Sequence, residues 1–241
     1  VYRLEPNAGE GKMLVFEGAA SIGGLQKAKD ADRFVFTLGS FERSPNVFVT
    51  NGLFTQAKPM TNTNPQQAAF FWGKTELVKF KSRWGRDLQG TLIYPAEYVE
   101  GRQYPMVVYI YERLSDGKNN YITPSEWSAY NPQVLSQNGY FVYMPDIAYK
   151  GNTPGQNAAD CLEPAVAAVL QKRVGVNPDK IGLMGHSWGG YQTAYLLSTG
   201  TKTFAAGVAG APLTELISMY LGVYWNSGPP NQEIFETSQG R

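Results

Sequence analysis

Histidine and cysteine are nearly missing from this chain: its 241 residues hold one of each. A single cysteine leaves no intrachain disulfide framework, and one Cys with one His falls short of an ordinary Cys/His zinc site. No metal and no cofactor is expected. One imidazole also confines histidine acid–base chemistry to one place, so its position matters. Charge is scarce as well, at 17% of residues against roughly 25% in an average domain. Lys+Arg 21 against Asp+Glu 20 leaves a formal net charge of +1. With no run of like charge, neither nucleic acid nor an anionic membrane is expected as a partner. No apolar run approaches the roughly 18 residues of a membrane span. The opening Val1-Tyr2-Arg3 shows neither Met nor an apolar leader. One cysteine suits the cytosol or the periplasm, so the compartment stays open.

What is plentiful is Tyr 15, Phe 12 and Gly 26, a composition that suits strands. Residues 1–70 hold short strand-like runs, Met13–Phe16, Arg33–Thr37 and Asn46–Thr50, separated by Gly-, Asn-, Ser- and Pro-rich loops. Without helical periodicity between them, this segment reads as antiparallel sheet. From about residue 75 the texture changes. Thr75–Ser82 and Leu88–Tyr94 read as a strand pair joined by a turn at Arg83–Asp87. Pro105–Tyr111 is a near-continuous apolar run suited to a strand buried on both faces. Pro132–Asn138 predicts a short helix, Tyr140–Met144 a strand, and Ala158–Arg173 a longer helix that Pro164 should delay or kink. Lys180–Met184 predicts a strand, Tyr191–Ser198 a helix and Phe204–Ala209 another strand. Strands alternating with helices predict a mostly parallel α/β sheet.

Chemistry concentrates at Gly185-His186-Ser187-Trp188-Gly189, a Gly-x-Ser-x-Gly pattern between a predicted strand and a predicted helix. That context is what a nucleophile elbow requires. A sharp turn would hold Ser187 strained with its hydroxyl exposed. Gly185 and Gly189 would let strand and helix approach. The helix N-terminus and the Trp188 N–H would then face a developing oxyanion. The bland reading is a Gly-rich turn that only packs a helix on a sheet.

With Gly190-Tyr191 added, this motif resembles the prolyl oligopeptidase family of serine peptidases. Other segments share the resemblance: Val176–Leu183 leading into the nucleophile, Phe204–Pro212 after the elbow helix, and Tyr104-Pro105 before an apolar strand. More loosely, Ser44-Pro45, Met60-Thr61 and Asn64-Pro65-Gln66 resemble the last propeller segment and the passage into the hydrolase domain. The dipeptidyl and acylaminoacyl peptidase branches are the most similar. The resemblance implies an α/β-hydrolase core over residues 71–241, preceded at 1–70 by the end of a β-propeller. It also implies short peptides as substrates. A tyrosine hydroxyl after the third hydrolase strand would be the second oxyanion donor, and that position falls on Tyr111. Glu112-Arg113 follow it, where relatives often carry small residues, and a core tyrosine is the alternative. Trp188, Leu213, Met219, Tyr220, Tyr224 and Trp225 lie where the family builds its specificity pocket, or they are ordinary packing of an aromatic-rich segment. Asp146, Tyr149, Lys150 and Gly151 follow the fourth hydrolase strand, where relatives often place Arg-Gly.

A triad on this fold runs Ser, then acid, then His. No histidine follows Ser187. His186 is its immediate neighbour, and adjacent side chains on a tight elbow point apart, so local packing suits it better than a role as base. Asp146, Asp160 and Asp179 all precede the serine. The expectation is a chain truncated before its acid and base, completed by the remainder of the same peptidase or by a complementing chain, and inactive alone. A simple esterase and a non-catalytic interaction subunit remain as alternative readings. Cys161, on the apolar side of its helix, is expected to be a buried, unreactive thiol.

Overall fold

The computed structural model describes residues 2–4, 12–14, 19–223, 228 and 230–236. The chain forms two compact units, residues 1–71 with 119–123, and residues 72–118 with 124–241.

In the first unit, β1 (Tyr2–Leu4) pairs antiparallel with β2 (Lys12–Leu14). A four-stranded antiparallel meander follows: β3 (Ser21–Lys27), β4 (Phe34–Ser40), β5 (Arg43–Thr50) and β6 (Lys58–Pro59), paired in chain order. Four strands in series is the arrangement of one propeller blade. Phe36 is buried and stacks on Phe48 at 5.8 Å, its cross-strand partner. The segment after β6 is held to β5 by side chains. Asn46 Oδ1 accepts from Thr63 N (2.8 Å) and Thr61 Oγ1 (3.0 Å), and Asn64 Nδ2 donates to the buried Ser44 Oγ (2.9 Å). The short polar residues at 44, 46, 61, 63 and 64 thus stand in for a longer ladder.

The second unit is an α/β-hydrolase core. Its strands are β7 (Thr75–Lys81), β8 (Asp87–Ile93), β9 (Tyr104–Ile110), β10 (Phe141–Pro145), β11 (Val176–His186) and β12 (Ala206–Gly210). They lie in the order β12-β11-β9-β10-β8-β7. The four at the β12 end are mutually parallel, and β8 and β7 add an antiparallel edge. Alternate residues of β9, Tyr104, Met106, Val108 and Ile110, are buried. The apolar run seen in the sequence is therefore the middle of the sheet. Helix α1 (Pro132–Gln137) packs on β10, α2 (Pro154–Gln171) on β7, and α3 (Trp188–Ser198) on β11 and β12, with α2 against α3.

Two expectations change. Helix α2 begins at Pro154, where a proline near the first turn costs no hydrogen bond. It then runs through Pro164 instead of starting after it. Pro164 cannot donate to the Asp160 carbonyl, and that carbonyl accepts from Arg83 N of the β7–β8 turn at 2.9 Å. The Arg83 guanidinium also bonds Asp160 Oδ1 (3.4 Å) and the Glu163 carboxylate. Strand β11 is longer than predicted. Asn177-Pro178-Asp179 form a bulge within it, closed by Asp179 N donating to Asn177 Oδ1 at 2.9 Å.

Of the α2 stripe, Ala158, Leu162, Ala165, Val166 and Val169 are fully buried, with Cys161 beside them, and Leu170 is partly buried. Each large apolar side chain among them contributes about 1.5–3 kcal/mol. Burial pushes the Cys161 thiol up to about 11, despite a contact to the Ala148 carbonyl at 3.7 Å. In the native protein at pH 8, a soluble aromatic disulfide should therefore react with Cys161 at least about a hundred-fold more slowly than with the unfolded chain. Stopped-flow absorbance with and without denaturant measures this.

After β12 come α4 (Leu216–Leu221), a β-bridge between Val223 and Pro230, and a three-residue helix α5 (Gln232–Ile234). Among the described residues, no further strand joins the sheet.

Candidate active site

The site forms where β11 ends and α3 begins. Ser187, the N-cap of α3, has φ 57° and ψ −119°. Such a backbone costs a non-glycine residue about 1–3 kcal/mol. Close packing enforces it. A Cβ on Gly185 would lie 2.3 Å from the Gly189 carbonyl oxygen. A Cβ on Gly189 would lie 2.4 Å from the Ile110 carbonyl oxygen and 3.6 Å from Tyr111 Cα. Strand β9, strand β11 and helix α3 therefore meet backbone to backbone around the serine.

The hydrogen bonds sort the donors. Ser187 N–H donates to the Gly210 carbonyl at the end of β12 (2.9 Å), and Tyr191 N–H closes the first helical turn on the Ser187 carbonyl (3.0 Å). The serine's own N–H is thus occupied. Trp188 N–H, at the first helical position, has no acceptor within its helix. The Ser187 side chain makes no capping bond to α3.

His186 sits apart from this chemistry. Its exposed ring lies 5.3 Å from the Tyr130 ring, with Nδ1 3.3 Å from the Tyr130 hydroxyl. Tyr130 in turn packs over Gly210, where a Cβ would lie 1.6 Å from its hydroxyl oxygen. Among the earlier acids, Asp160 pairs with Arg83 as described, and Asp179 lies in the β11 bulge. Asp146, directly after β10, is buried and accepts from Leu114 N (2.9 Å), Ser115 N (2.9 Å) and Ser115 Oγ (2.6 Å).

An aromatic cluster adjoins Ser187. Trp188 is buried, 5.0 Å from Phe235 and 5.8 Å from Tyr191, both edge to face, and Phe235 meets Tyr220 at 5.6 Å. The Trp188 indole N–H has no partner among the described residues. The Tyr220 hydroxyl donates to Glu236 Oε1 (2.7 Å), which pushes that phenol up from its usual range. Trp188 and Tyr220 are thus brought together through Phe235, which sequence reasoning passed over. Leu213 is half-buried in the loop after β12. Met219 accepts from Asn231 Nδ2 at 3.6 Å. Tyr224 and Trp225 lie outside the described residues. Tyr111, at the end of β9, is 36% exposed. No group of three metal-ligating side chains occurs among the described residues, and no helix described is long and apolar enough to cross a membrane.

Residues 126–236, which hold the elbow and its aromatic cluster, match the sequence profile of the prolyl oligopeptidase family. Over these residues, the chain is similar to that family. A dipeptidyl-peptidase 5 of Porphyromonas endodontalis is 25% identical over 161 residues, 60% of this chain and 22% of that protein. The human dipeptidyl peptidase 8 is 26% identical over 165 residues, 64% of this chain and 18% of its own length. The chain thus spans about a fifth of the curated relatives it matches. An acylaminoacyl peptidase, solved in complex with Z-Gly-Gly-Phe-chloromethyl ketone, superposes with a TM-score of 0.73 at 18% identity, over 96% of this chain and 36% of that one. That likeness concerns the fold, and it extends beyond the prolyl oligopeptidase match into the antiparallel unit.

Proposed function

We propose that this chain carries the nucleophile and oxyanion site of a serine peptidase of the prolyl oligopeptidase family, acting on short peptides. One observation carries the reading. Ser187 is held in a strained turn with no side-chain capping bond to its helix, next to a helix-terminal N–H with no intrahelical acceptor. In the first step Ser187 Oγ attacks the scissile carbonyl, giving a tetrahedral oxyanion held by Trp188 N–H and the Tyr111 hydroxyl. Loss of the amine leaves an acyl-enzyme on Ser187, which water then hydrolyses. Trp188, Phe235 and Tyr220, with Leu213, would line the pocket for the side chain before the cleaved bond. Residues 1–70 are read as the end of a β-propeller and 71–241 as the hydrolase domain.

The serine proton needs an acceptor. His186 is engaged with Tyr130 and no other imidazole exists in the chain. The reading therefore requires a base, and the acid that orients it, from outside these 241 residues. A fluorophosphonate probe tests this directly. Ser187 of the full-length protein should label rapidly, and Ser187 of the isolated 241 residues about 10²- to 10⁴-fold more slowly, the usual worth of a general base. Rapid labelling of the isolated chain would sink the external-base requirement. Absence of labelling in the full-length protein would sink the nucleophile assignment. Aminoacyl nitroanilides and short acyl esters, compared on the full-length protein, separate peptidase from esterase.

A further inference from the structure

We propose that Asp146 is a positioning residue for the oxyanion site: its carboxylate anchors the loop after β9 and so fixes where the Tyr111 hydroxyl stands. This rests on the reading of Tyr111 given above. The argument begins at the two ends of residues 110–115. At the first end, the Ile110 carbonyl and Tyr111 Cα press against Gly189 of α3 so closely that a methyl group there would clash. From Tyr111 onward the chain has left the sheet. Something other than strand pairing must hold it.

The residues after β10 supply that hold. Ile147 N–H donates to the Glu112 carbonyl at 2.7 Å. Two residues further along the loop, Asp146 Oδ1 takes both Leu114 N–H and Ser115 N–H, and Oδ2 takes the Ser115 hydroxyl. Gln89 of β8 donates its side-chain amide to the same Ser115 Oγ (3.1 Å), and its carbonyl accepts Asp146 N–H (2.9 Å). A carboxylate only 6% exposed is costly to bury without partners. Here three donors from a single two-residue stretch satisfy it. Their convergence fixes both the distance and the orientation of that stretch. Tyr149, next in the same loop, accepts from Gln192 Nε2 of the elbow helix at 2.6 Å. One loop thus grips the segment after Tyr111 with its first residues and the helix after Ser187 with its fourth. It links the two halves of the oxyanion site.

The aspartate itself touches neither Ser187 nor a substrate atom in this scheme. Its effect passes through Tyr111. A double-substitution cycle on the full-length protein, read as kcat and KM on an aminoacyl nitroanilide with melting temperatures alongside, isolates that dependence. Tyr111→Phe should lower kcat about 10²-fold, the usual loss for one oxyanion donor. Asp146→Asn should lower kcat about 10- to 100-fold with KM changed less than about three-fold. In the Tyr111→Phe background, Asp146→Asn should cost less than about three-fold more, because the donor it positions is gone. Ser115→Ala, which removes only the hydroxyl bond, should give a smaller loss that also vanishes in that background. It serves if Asp146→Asn fails to fold.

The outcomes separate cleanly. If Tyr111→Phe leaves kcat unchanged, the oxyanion reading falls and this proposal with it. If Tyr111→Phe is costly but the Asp146 or Ser115 losses are equal in both backgrounds, or absent in both, the oxyanion reading stands and the positioning role is overturned.

Discussion

Ser187→Ala in the full-length protein should lower kcat on a peptide substrate by about a million-fold, the scale at which removing a serine nucleophile disables a peptidase. Substrate binding should survive, because the pocket residues and the Trp188 N–H are untouched. Isothermal titration with the same peptide reads this. Stability gives a second test of the same position. Alanine at φ 57° and ψ −119° suffers the backbone strain that serine does, so its unfolding free energy should stay within about 0.5 kcal/mol of the parent. Glycine should relieve the strain. Offset by its larger unfolded-state entropy, Ser187→Gly should still gain about 1 kcal/mol in urea unfolding. A protein stabilised by deleting its nucleophile is what a strained elbow produces. Equal stability of the two variants would show that the turn stores no strain.

Gly189→Ala should be nearly as damaging, by another route. The added methyl would meet the Ile110 carbonyl oxygen at 2.4 Å. That atom belongs to the central strand of the sheet and cannot swing aside as a side-chain tip could. Either α3 tilts away from β9 or the strand end moves. Overpacking of this kind costs about 1–3 kcal/mol. Tyr111, one residue beyond the clash, should shift by a comparable distance, so kcat should fall about 10²-fold even where the variant folds. Urea denaturation and steady-state kinetics on one preparation give both numbers. A variant with parental kcat would show that the close packing of β9 on α3 is irrelevant to the chemistry.

The elbow was legible because its constraints are local. Gly185, Ser187 and Gly189 lie within five residues, and the contact of Gly185 with Gly189 is written into their spacing. The β9 strand was legible from its apolar run from Pro105 to Ile110, although one face, with Pro105, Val107 and Tyr109, is only half-buried. The Pro164 outcome was not legible. Whether a proline interrupts a helix depends on who takes the freed carbonyl, and Arg83 lies 77 residues before Asp160. Phe235 was missed because a lone aromatic in a segment without periodicity carries no sign of its partner. The Asp146 network was hidden likewise. Nothing near Asp146 in sequence announces Leu114 and Ser115, and a buried carboxylate is recognised only once its donors converge.

The strand order bears on how the molecule is made. β11 lies between β9 and β12, and the Ser187 N–H is secured by Gly210 at the end of β12. The elbow therefore needs a partner made long before it in the chain and another made after it. Pairings so far apart in sequence form slowly, because loop closure comes before the contacts that reward it. The antiparallel β7–β8 hairpin is the local event, and the turn at Ser187 is among the last. A refolding chain would regain most of its sheet while Ser187 is still an ordinary serine. The strained turn at that residue thus forms late, when both neighbours of β11 have arrived.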